Sequence, residues 1–278
     1  MAKTLVVGAN GTVGSNLVRL LTAKDETVLR ATSKQPQQAD EVHLNLATGE
    51  GRAAAFGGVA RAFFLSPPGF TNQHQLMIPL IDAAKAAGVG KIVLMTAMGA
   101  NADDAAPLRK AELHLEKAGL AYNIVRPNWF MQNFNSYWIG SILAEGKIRL
   151  PVGTAKGSFI DARDIAAVAA KLLTSSRYDG QAFDLTGSEA LDHDAVAAII
   201  SCETGKKIAF EDIAPEAMLQ GLLGAGLPQA YAEFLLVILG YFKAGYAARI
   251  EDSVEKIVGR KPIAFATYAK DYRAAWLG

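Results

Sequence analysis

The sequence has little of what disulfide, metal or membrane chemistry requires. Cys202 is the one cysteine among 278 residues, so no internal disulfide can form, which is typical of a reducing compartment. The four histidines are scattered, without the spacing that a metal site uses. The most apolar run, residues 234–242, is too short to span a membrane. We therefore expect a soluble, cytoplasmic protein with no metal ion and no membrane association.

An excess of charge of one sign is missing as well. The 28 Lys and Arg residues nearly balance the 27 Asp and Glu residues, and no basic stripe predicts direct contact with nucleic acid. The apolar run at the N-terminus is too short for the core of a signal peptide. Half of the chain is hydrophobic, 51%, which is enough for one large domain or two closely associated ones. The apolar stretch 222–245 is interpreted as a cap helix pair or a subunit interface of a homo-oligomer.

Short apolar runs alternate with amphipathic ones through the first two thirds of the chain. This alternation predicts an α/β fold, a doubly wound parallel sheet with helices on both faces. After residue 187 the pattern is mainly helical. The predicted helices outside that region are the one that follows Gly11 and those at 72–87, 107–118 and 159–173. The predicted strands are 4–9, 27–32, 41–46, 60–66, 91–97, 121–127 and 181–187.

Three glycines stand between the first strand and the first helix, in the stretch VVGANGTVG at residues 6–14. In a dinucleotide-binding unit, Gly8 permits a tight turn, Gly11 lets the backbone approach the pyrophosphate, and Gly14 lets the helix pack closely on the strand. The N-terminus of the helix then offers free N–H groups to the phosphates. We therefore predict a nucleotide site here. The alternative is a strand–helix turn with incidental glycines.

The end of the second strand indicates which dinucleotide binds. An acidic residue there would bind the ribose 2′-hydroxyl of NAD, but residues 29–36 contain none. Arg30, Ser33 and Lys34 stand there instead, and a cation and a hydroxyl suit a 2′-phosphate. We predict NADP(H) in preference to NAD(H), with ordinary solvated charges at Arg30 and Lys34 as the alternative.

Several segments, taken in order, resemble the NmrA-like family of atypical, extended short-chain dehydrogenase/reductases. They are GANGTVG, FFLSPPG, IVLMTAMGA, KAELHLEKAGLAYNIVRPNWFMQNF, FIDARDIAAVAA and DLTGSEAL, with SVEKIVGRKPIAFATYAKDY near the C-terminus. The resemblance implies a Rossmann-like domain, a smaller C-terminal cap and a cleft between them. The family includes NADPH-dependent reductases of quinones, dyes and conjugated or iminium carbon. It also includes proteins that bind NADP(H) as redox sensors.

The domain boundaries follow from the pattern and the resemblance together. We expect a NAD(P)-binding, Rossmann-like domain over residues 1–187, with 130–158 contributing to the substrate cleft. Residues 188–278 are expected to form the smaller, mainly helical cap. By position, the resemblance implies cofactor contacts at Gly8, Asn10, Gly11, Thr12, Val13, Gly14, Ser33, Lys34, Asn45, Ser66, Pro67, Pro68, Thr96, Ala97, Met98, Lys110, Pro127, Asn128, Trp129 and Phe130.

The proton relay of ordinary short-chain dehydrogenases is incomplete. Those enzymes carry a Tyr-x-x-x-Lys pair on the helix after the fifth strand, and the tyrosine passes a proton to the carbonyl oxygen. Lys110 matches the lysine, but Ala106 stands where the tyrosine would be. Thr96 is the counterpart of the assisting hydroxyl, and Tyr137 is one of the nearest tyrosines that could replace the donor. We predict Lys110, Thr96 and Tyr137 as catalytic, with a surface salt bridge as the alternative for Lys110.

Aromatic side chains are concentrated in residues 128–140. Such a density suits a pocket that holds a planar apolar substrate, and a hydrophobic hinge that packs the cap on the sheet is the alternative. The predicted substrate contacts are Phe130, Met131, Phe134, Tyr137 and Trp138.

Three functions remain open on the sequence. The first is an NADPH-dependent oxidoreductase that transfers hydride to a quinone, enone, iminium ion or dye-like electrophile. These acceptors spread the developing charge, so they do not need the missing tyrosine. The second is a non-catalytic NADP(H)-binding redox sensor, and the third is a dehydratase or isomerase, which Ala106 disfavours.

Overall fold

The computed structural model describes residues 3–278, and they divide into two units. Unit 1 comprises the described residues up to Pro127, together with Ala162–Leu185 and Lys256–Gly259. Unit 2 comprises Asn128–Asp161, Thr186–Glu255 and Arg260–Gly278. The assignment of a cofactor role to 1–187 and a cap role to 188–278 stays a prediction.

The strands account for both sheets of the described residues. They are β1 (Lys3–Val6), β2 (Thr27–Thr32), β3 (Glu41–His43), β4 (Val59–Leu65), β5 (Lys91–Met95), β6 (Ala121–Pro127), β7 (Lys147–Leu150), β8 (Gln181–Leu185) and β9 (Ala209–Asp212).

Helices connect or follow these strands. They are α1 (Thr12–Thr22), α2 (Gln73–Ala86), α3 (Pro107–Glu116), α4 (Ile139–Glu145), α5 (Ala162–Leu173), α6 (His193–Thr204), α7 (Pro215–Gly224), α8 (Gln229–Lys243), α9 (Ser253–Val258), α10 (Phe265–Tyr272) and α11 (Ala274–Leu277). None of them is both long and apolar enough to cross a membrane.

Unit 1 contains a parallel sheet of seven strands in the order β3-β2-β1-β4-β5-β6-β8. Its central strands are almost wholly apolar because helices cover both faces, as in β5, where the run Ile92–Leu94 has no exposure. The apolar stripe of α1, at Val13, Leu17 and Leu21, is buried as its spacing predicts. The predicted doubly wound, Rossmann-like sheet is confirmed.

Unit 2 is mainly helical, with the two-stranded parallel sheet β7–β9. Its core is built from aromatic rings, among them Phe134, Phe159 and Phe265, which are less than 2% exposed. The C-terminal helices fasten this core, because the indole N–H of Trp276 donates to the carbonyl oxygen of Phe134 over 2.9 Å. The hydroxyl of Tyr268 donates to Asn135 Oδ1 over 2.8 Å.

Candidate functional site

A groove opens at the carboxyl ends of the first strands of unit 1. The strand order reverses between β1 and β4, since β2 and β3 lie on one side of β1 and the later strands on the other. Ligands of open α/β sheets bind at such a switch point. The groove has a volume of about 590 Å³ and is lined by Val7, Gly8, Ala9, Asn10, Gly11, Ala31, Thr32, Ser33, Lys34, Leu44, Asn45, Leu46, Ala47, Leu65, Pro67 and Phe70.

The glycine loop is shaped by close backbone contacts. Gly8 has a φ of +72°, and its carbonyl oxygen accepts a hydrogen bond from the N–H of Gly11 over 2.9 Å. A Cβ on Gly14 would stand only 2.0 Å from that same oxygen. Any side chain at Gly14 would therefore push α1 away from the loop. Gly8 and Gly14 thus serve the turn and the packing that the spacing predicts.

The N-terminus of α1 leaves donors open at this groove. Gly11 occupies the N-cap position without a side-chain cap, and Asn10 and Gly11 line the groove. The first N–H groups of a helix have no intrahelical acceptor, and the helix dipole makes this end positive. Thr12 and Val13 contribute such N–H groups. This end of α1 therefore suits the phosphates of a dinucleotide.

The turn after β2 adds a cation to the groove. Ser33 and Lys34 both line it, and no carboxylate is among the described residues that do so. Arg30 is turned away, because its guanidinium binds Asp40 through Nε and Nη2, each over 2.7 Å. That hydrogen-bonded pair lowers the pKa of Asp40 and keeps its carboxylate engaged. Lys34, rather than Arg30, supplies the positive charge at this end of the groove.

Asn45 shapes the wall that follows β3. Its Oδ1 accepts the N–H groups of Ala47 and Thr48, over 3.0 and 3.2 Å, so the side chain closes a turn. Around it, the apolar side chains of Leu44, Leu46 and Phe70 line the groove. Sequence reasoning named Asn45 but missed these apolar lining residues. An apolar wall of this kind suits an adenine ring.

A buried ionic cluster includes Thr96, one of the predicted cofactor contacts. Glu112 has no exposure, and Arg126 donates to both of its oxygens, over 2.9 and 2.7 Å. Arg109 adds a hydrogen bond of 3.0 Å, and the Thr96 hydroxyl donates to Glu112 Oε1 over 2.6 Å. Burial alone would raise the pKa of Glu112, but the hydrogen bonds, led by Arg126, lower it overall. Glu112 is thus an acceptor, and the proton of Thr96 is directed to it.

Sequence reasoning missed Glu112 and Arg126. The sequence does contain a pattern that could have indicated them. Glu112 shares the buried stripe of α3 with Ala111 and Leu115, and Arg126 interrupts the apolar strand β6. A charge on each of two buried elements indicates a pair.

Lys110 lies elsewhere on α3. It is exposed and lines a shallow surface depression with Ile78, Leu113, His114 and Lys117. The described residues that line the groove do not include it, and Ala106 stands one turn earlier, at the N-cap of α3. Its predicted roles toward cofactor and proton stay predictions.

The aromatic segment belongs to unit 2. Met131 and Phe134 are 1% and 0% exposed and form part of its core. Trp129 stacks on Trp138 with ring centroids 5.9 Å apart, and Tyr137 is 74% exposed. Core packing therefore accounts for Met131 and Phe134. Contact of these side chains and Phe130 with a substrate stays a prediction.

The remaining predicted residues follow the strand ends. Pro67 lines the groove, whereas Ser66 and Pro68 flank it in sequence without lining it. The N–H of Met98 donates to the carbonyl oxygen of Pro127 over 3.0 Å, so the turn through Ala97 is held against the end of β6. The side-chain amide of buried Asn128 donates to Ser158 Oγ and to the carbonyl oxygen of Ala247, over 2.7 and 2.8 Å.

Comparison with known proteins agrees with this architecture. The profile of the NmrA-like family matches residues 1–261. The NAD(P)H azoreductase of Xenophilus azovorans is 35% identical over 284 residues, which cover 98% of each chain.

Solved structures show the same fold. The triphenylmethane reductase of Citrobacter sp. superposes with a TM-score of 0.84 at 20% identity, covering 98% of this chain and 99% of that one. NmrA, a negative transcriptional regulator solved in complex with NADP, superposes with a TM-score of 0.77 at 18% identity, covering 98% and 96%.

Proposed function

The chain belongs to the NmrA-like family, and we propose that it is an NADPH-dependent reductase of small conjugated or aromatic electrophiles. Quinones, enones, iminium ions and dye-like compounds form the proposed substrate class. One observation carries the proposal: the groove at the switch point is lined by a glycine loop, by the open N-terminus of α1 and by Lys34.

The residues of the groove fit NADP(H). Gly8 and Gly11 themselves place no side chain in the groove, and open N–H groups at the start of α1 suit a diphosphate. Ser33 and Lys34 would hold the 2′-phosphate, and Asn45 would stand near the adenine. When bound, the cofactor would supply a hydride from its nicotinamide ring.

The substrate class rests on relatives and on the missing proton donor. Azo compounds and triphenylmethane dyes, named for the two reductases, are extended conjugated systems. Ala106 replaces the usual tyrosine, and the Thr96 hydroxyl donates its hydrogen bond to the carboxylate of Glu112. Acceptors that delocalise the incoming charge therefore suit this chain best.

Titration and turnover test the proposal together. We expect NADPH to quench tryptophan fluorescence on binding, and a panel of quinones, enones, iminium salts and triarylmethane dyes to include acceptors that consume NADPH. Lys34→Ala should weaken NADPH binding by about tenfold or more, the usual worth of a hydrogen bond to a charged group, and leave NADH binding unchanged. Lys85→Ala, an exposed lysine at the end of α2, is the matched control. Absence of binding by either nucleotide would refute the proposal.

A non-catalytic NADP(H) sensor is the second candidate. The observation that favours it is the position of two predicted catalytic groups: the Thr96 proton is directed to Glu112, and Lys110 lines a separate depression. Tight binding of NADPH without consumption by any acceptor of the panel would support it over the reductase.

A further inference from the structure

We propose that His43 sets the preference of the groove for NADPH over NADH by fixing the main chain of Lys34. His43 would act as a positioning residue, without contact with the cofactor. The inference rests on the proposed function, since it concerns the group that would meet the 2′-phosphate.

The main chain of Lys34 is held at both of its polar groups. Its N–H donates to Thr32 Oγ1 over 3.2 Å, and its carbonyl oxygen lies 3.1 Å from Nδ1 of His43. Thr32 and His43 are register partners in the parallel pair β2–β3. Residues at the ends of both strands thus clamp the main chain of Lys34, which follows β2.

The identity of the acceptor determines the form of the imidazole. A carbonyl oxygen can only accept a hydrogen bond. Nδ1 of His43 must therefore be protonated and donate to the carbonyl oxygen of Lys34. Nε2 is buried and lies 3.5 Å from Glu50 Oε2. The ring thus presents its donor to the lysine turn and its other nitrogen to the loop that follows β3.

A glycine fixes the place of His43. Gly51 has a φ of +76°, and a Cβ there would stand 2.2 Å from the carbonyl oxygen of His43 and 3.1 Å from its Cδ2. The loop around Gly51 therefore packs directly on this histidine and restricts the ring. Because the ring of His43 is restricted, its N–H donor stays in place. The hydrogen bond to Lys34 then costs less side-chain entropy.

The clamp matters because Lys34 is an exposed residue, and no salt bridge to its ammonium group is found among residues 3–278. The side chain of lysine is flexible, so the position of its Cα sets the region that the ammonium group can reach. Releasing the carbonyl of Lys34 would let the turn rotate and lower the local charge at the 2′-phosphate. The adenine wall keeps its own main-chain bonds, from the N–H of Leu44 to Thr32 O over 2.8 Å and from the N–H of Asn45 to Glu50 O over 2.9 Å. NADH affinity should therefore change much less than NADPH affinity.

Two substitutions at one position test the inference. His43→Leu removes the donor, and we expect the Kd for NADPH to rise about fivefold with little change for NADH, as for one lost hydrogen bond. His43→Asn places an amide N–H near the position of Nδ1 and should restore most of the selectivity. Thermal unfolding of each variant shows whether it is folded.

The outcomes separate this inference from the proposed function. Wild-type protein that binds neither nucleotide would refute the function. Wild-type protein that binds NADPH, with a His43→Leu variant of unchanged NADPH-to-NADH ratio, would overturn the role of His43 alone. An equal loss for both nucleotides, or His43→Asn behaving like His43→Leu, would also overturn it, because either result indicates a general structural role. If His43→Leu does not fold, His43→Asn decides: retained selectivity supports the role, and lost selectivity overturns it.

Discussion

Replacing Gly14 by alanine tests the physical basis of the cofactor groove. The new Cβ would stand 2.0 Å from the Gly8 carbonyl oxygen, 2.6 Å from its carbon and 2.9 Å from Ala9 Cα. All three neighbours are backbone atoms, so no side chain can rotate away, and α1 must move by about 1 Å relative to the loop. Overpacking costs about 1–3 kcal/mol, and the helix propensity of alanine returns about 1 kcal/mol. Because backbone atoms must move here, the cost should lie at the upper end of the overpacking range. The net loss in the free energy of unfolding should then be about 2 kcal/mol.

Gly11→Ala is the matched control for this change. Its Cβ would lie 3.2 Å from the Gly8 carbonyl oxygen, and its φ of −84° suits any residue. As an N-cap substitution it should cost less than about 1 kcal/mol. At the diphosphate, however, a methyl group on Gly11 would obstruct the close approach of the cofactor. The two variants should therefore separate stability from binding.

Thermal unfolding and NADPH titration give the result. Gly14→Ala should lower Tm by roughly 5 °C and NADPH affinity by about tenfold, because the N–H groups of α1 move with the helix. Gly11→Ala should keep Tm within about 2 °C and still lose affinity. A Gly14→Ala protein with the wild-type Tm and the wild-type Kd would refute the packing argument.

Three further predictions concern residues outside the glycine loop. Burial lowers the pKa of His193 to about 4. The stability that depends on its neutral imidazole is therefore fully present at pH 7, and the free energy of unfolding should fall by about 3 kcal/mol in total as the pH drops from about 6.5 through 4. Urea unfolding of His193→Leu should lack this loss, and parallel pH profiles would contradict it. Glu112→Gln leaves the buried Arg126 guanidinium without the Glu112 carboxylate and should lower the free energy of unfolding in urea by about 3 kcal/mol. The control Glu116→Gln should lower it by less than about 1 kcal/mol. Equal losses for the two variants would argue against the cluster. Lys110→Ala should change kcat and the Kd for NADPH by less than about threefold, as at a surface site, and a larger loss in steady-state assays would support its proton-supplying role.

Long periodic elements could be predicted from the sequence, whereas short ones could not. The predicted strands 27–32 and 121–127 agree with β2 and β6, because β-branched and apolar residues predominate there. The sequence predicts no helix or strand within 130–158, the range expected to contribute to the substrate cleft, whereas the structure has α4 and β7 there, of seven and four residues. Elements of that length carry too few residues for a period to show. Their existence depends on packing in unit 2.

The residues of the candidate site also divide into those that could be predicted from the sequence and those that could not. The three glycines and Lys34 stand close to the ends of β1 and β2, so a role toward a cofactor could be predicted from their positions. The partner of Arg30 could not, since it depends on the path of the turn that brings Asp40 back to β2. Glu112 belongs to a stretch, RKAELHLEK, that is typical of a solvated helix. Its burial could only be predicted by pairing its stripe with the arginine of β6.

The buried cluster links the missing tyrosine to the choice of substrate. A neutral Glu112 could pass a proton back to Thr96, but two arginines keep it ionised, and its pKa is lowered despite complete burial. The oxygen of the Thr96 hydroxyl can then accept a hydrogen bond from a ligand. Its proton, however, is already donated to Glu112 and cannot be donated to the ligand as well. Since Ala106 offers no proton either, an acceptor that forms a localised alkoxide would have no partner on these two residues. An acceptor that spreads its charge over a conjugated system does not need one, which is why the proposed reductase should consume NADPH with quinones or cationic dyes and not with simple ketones.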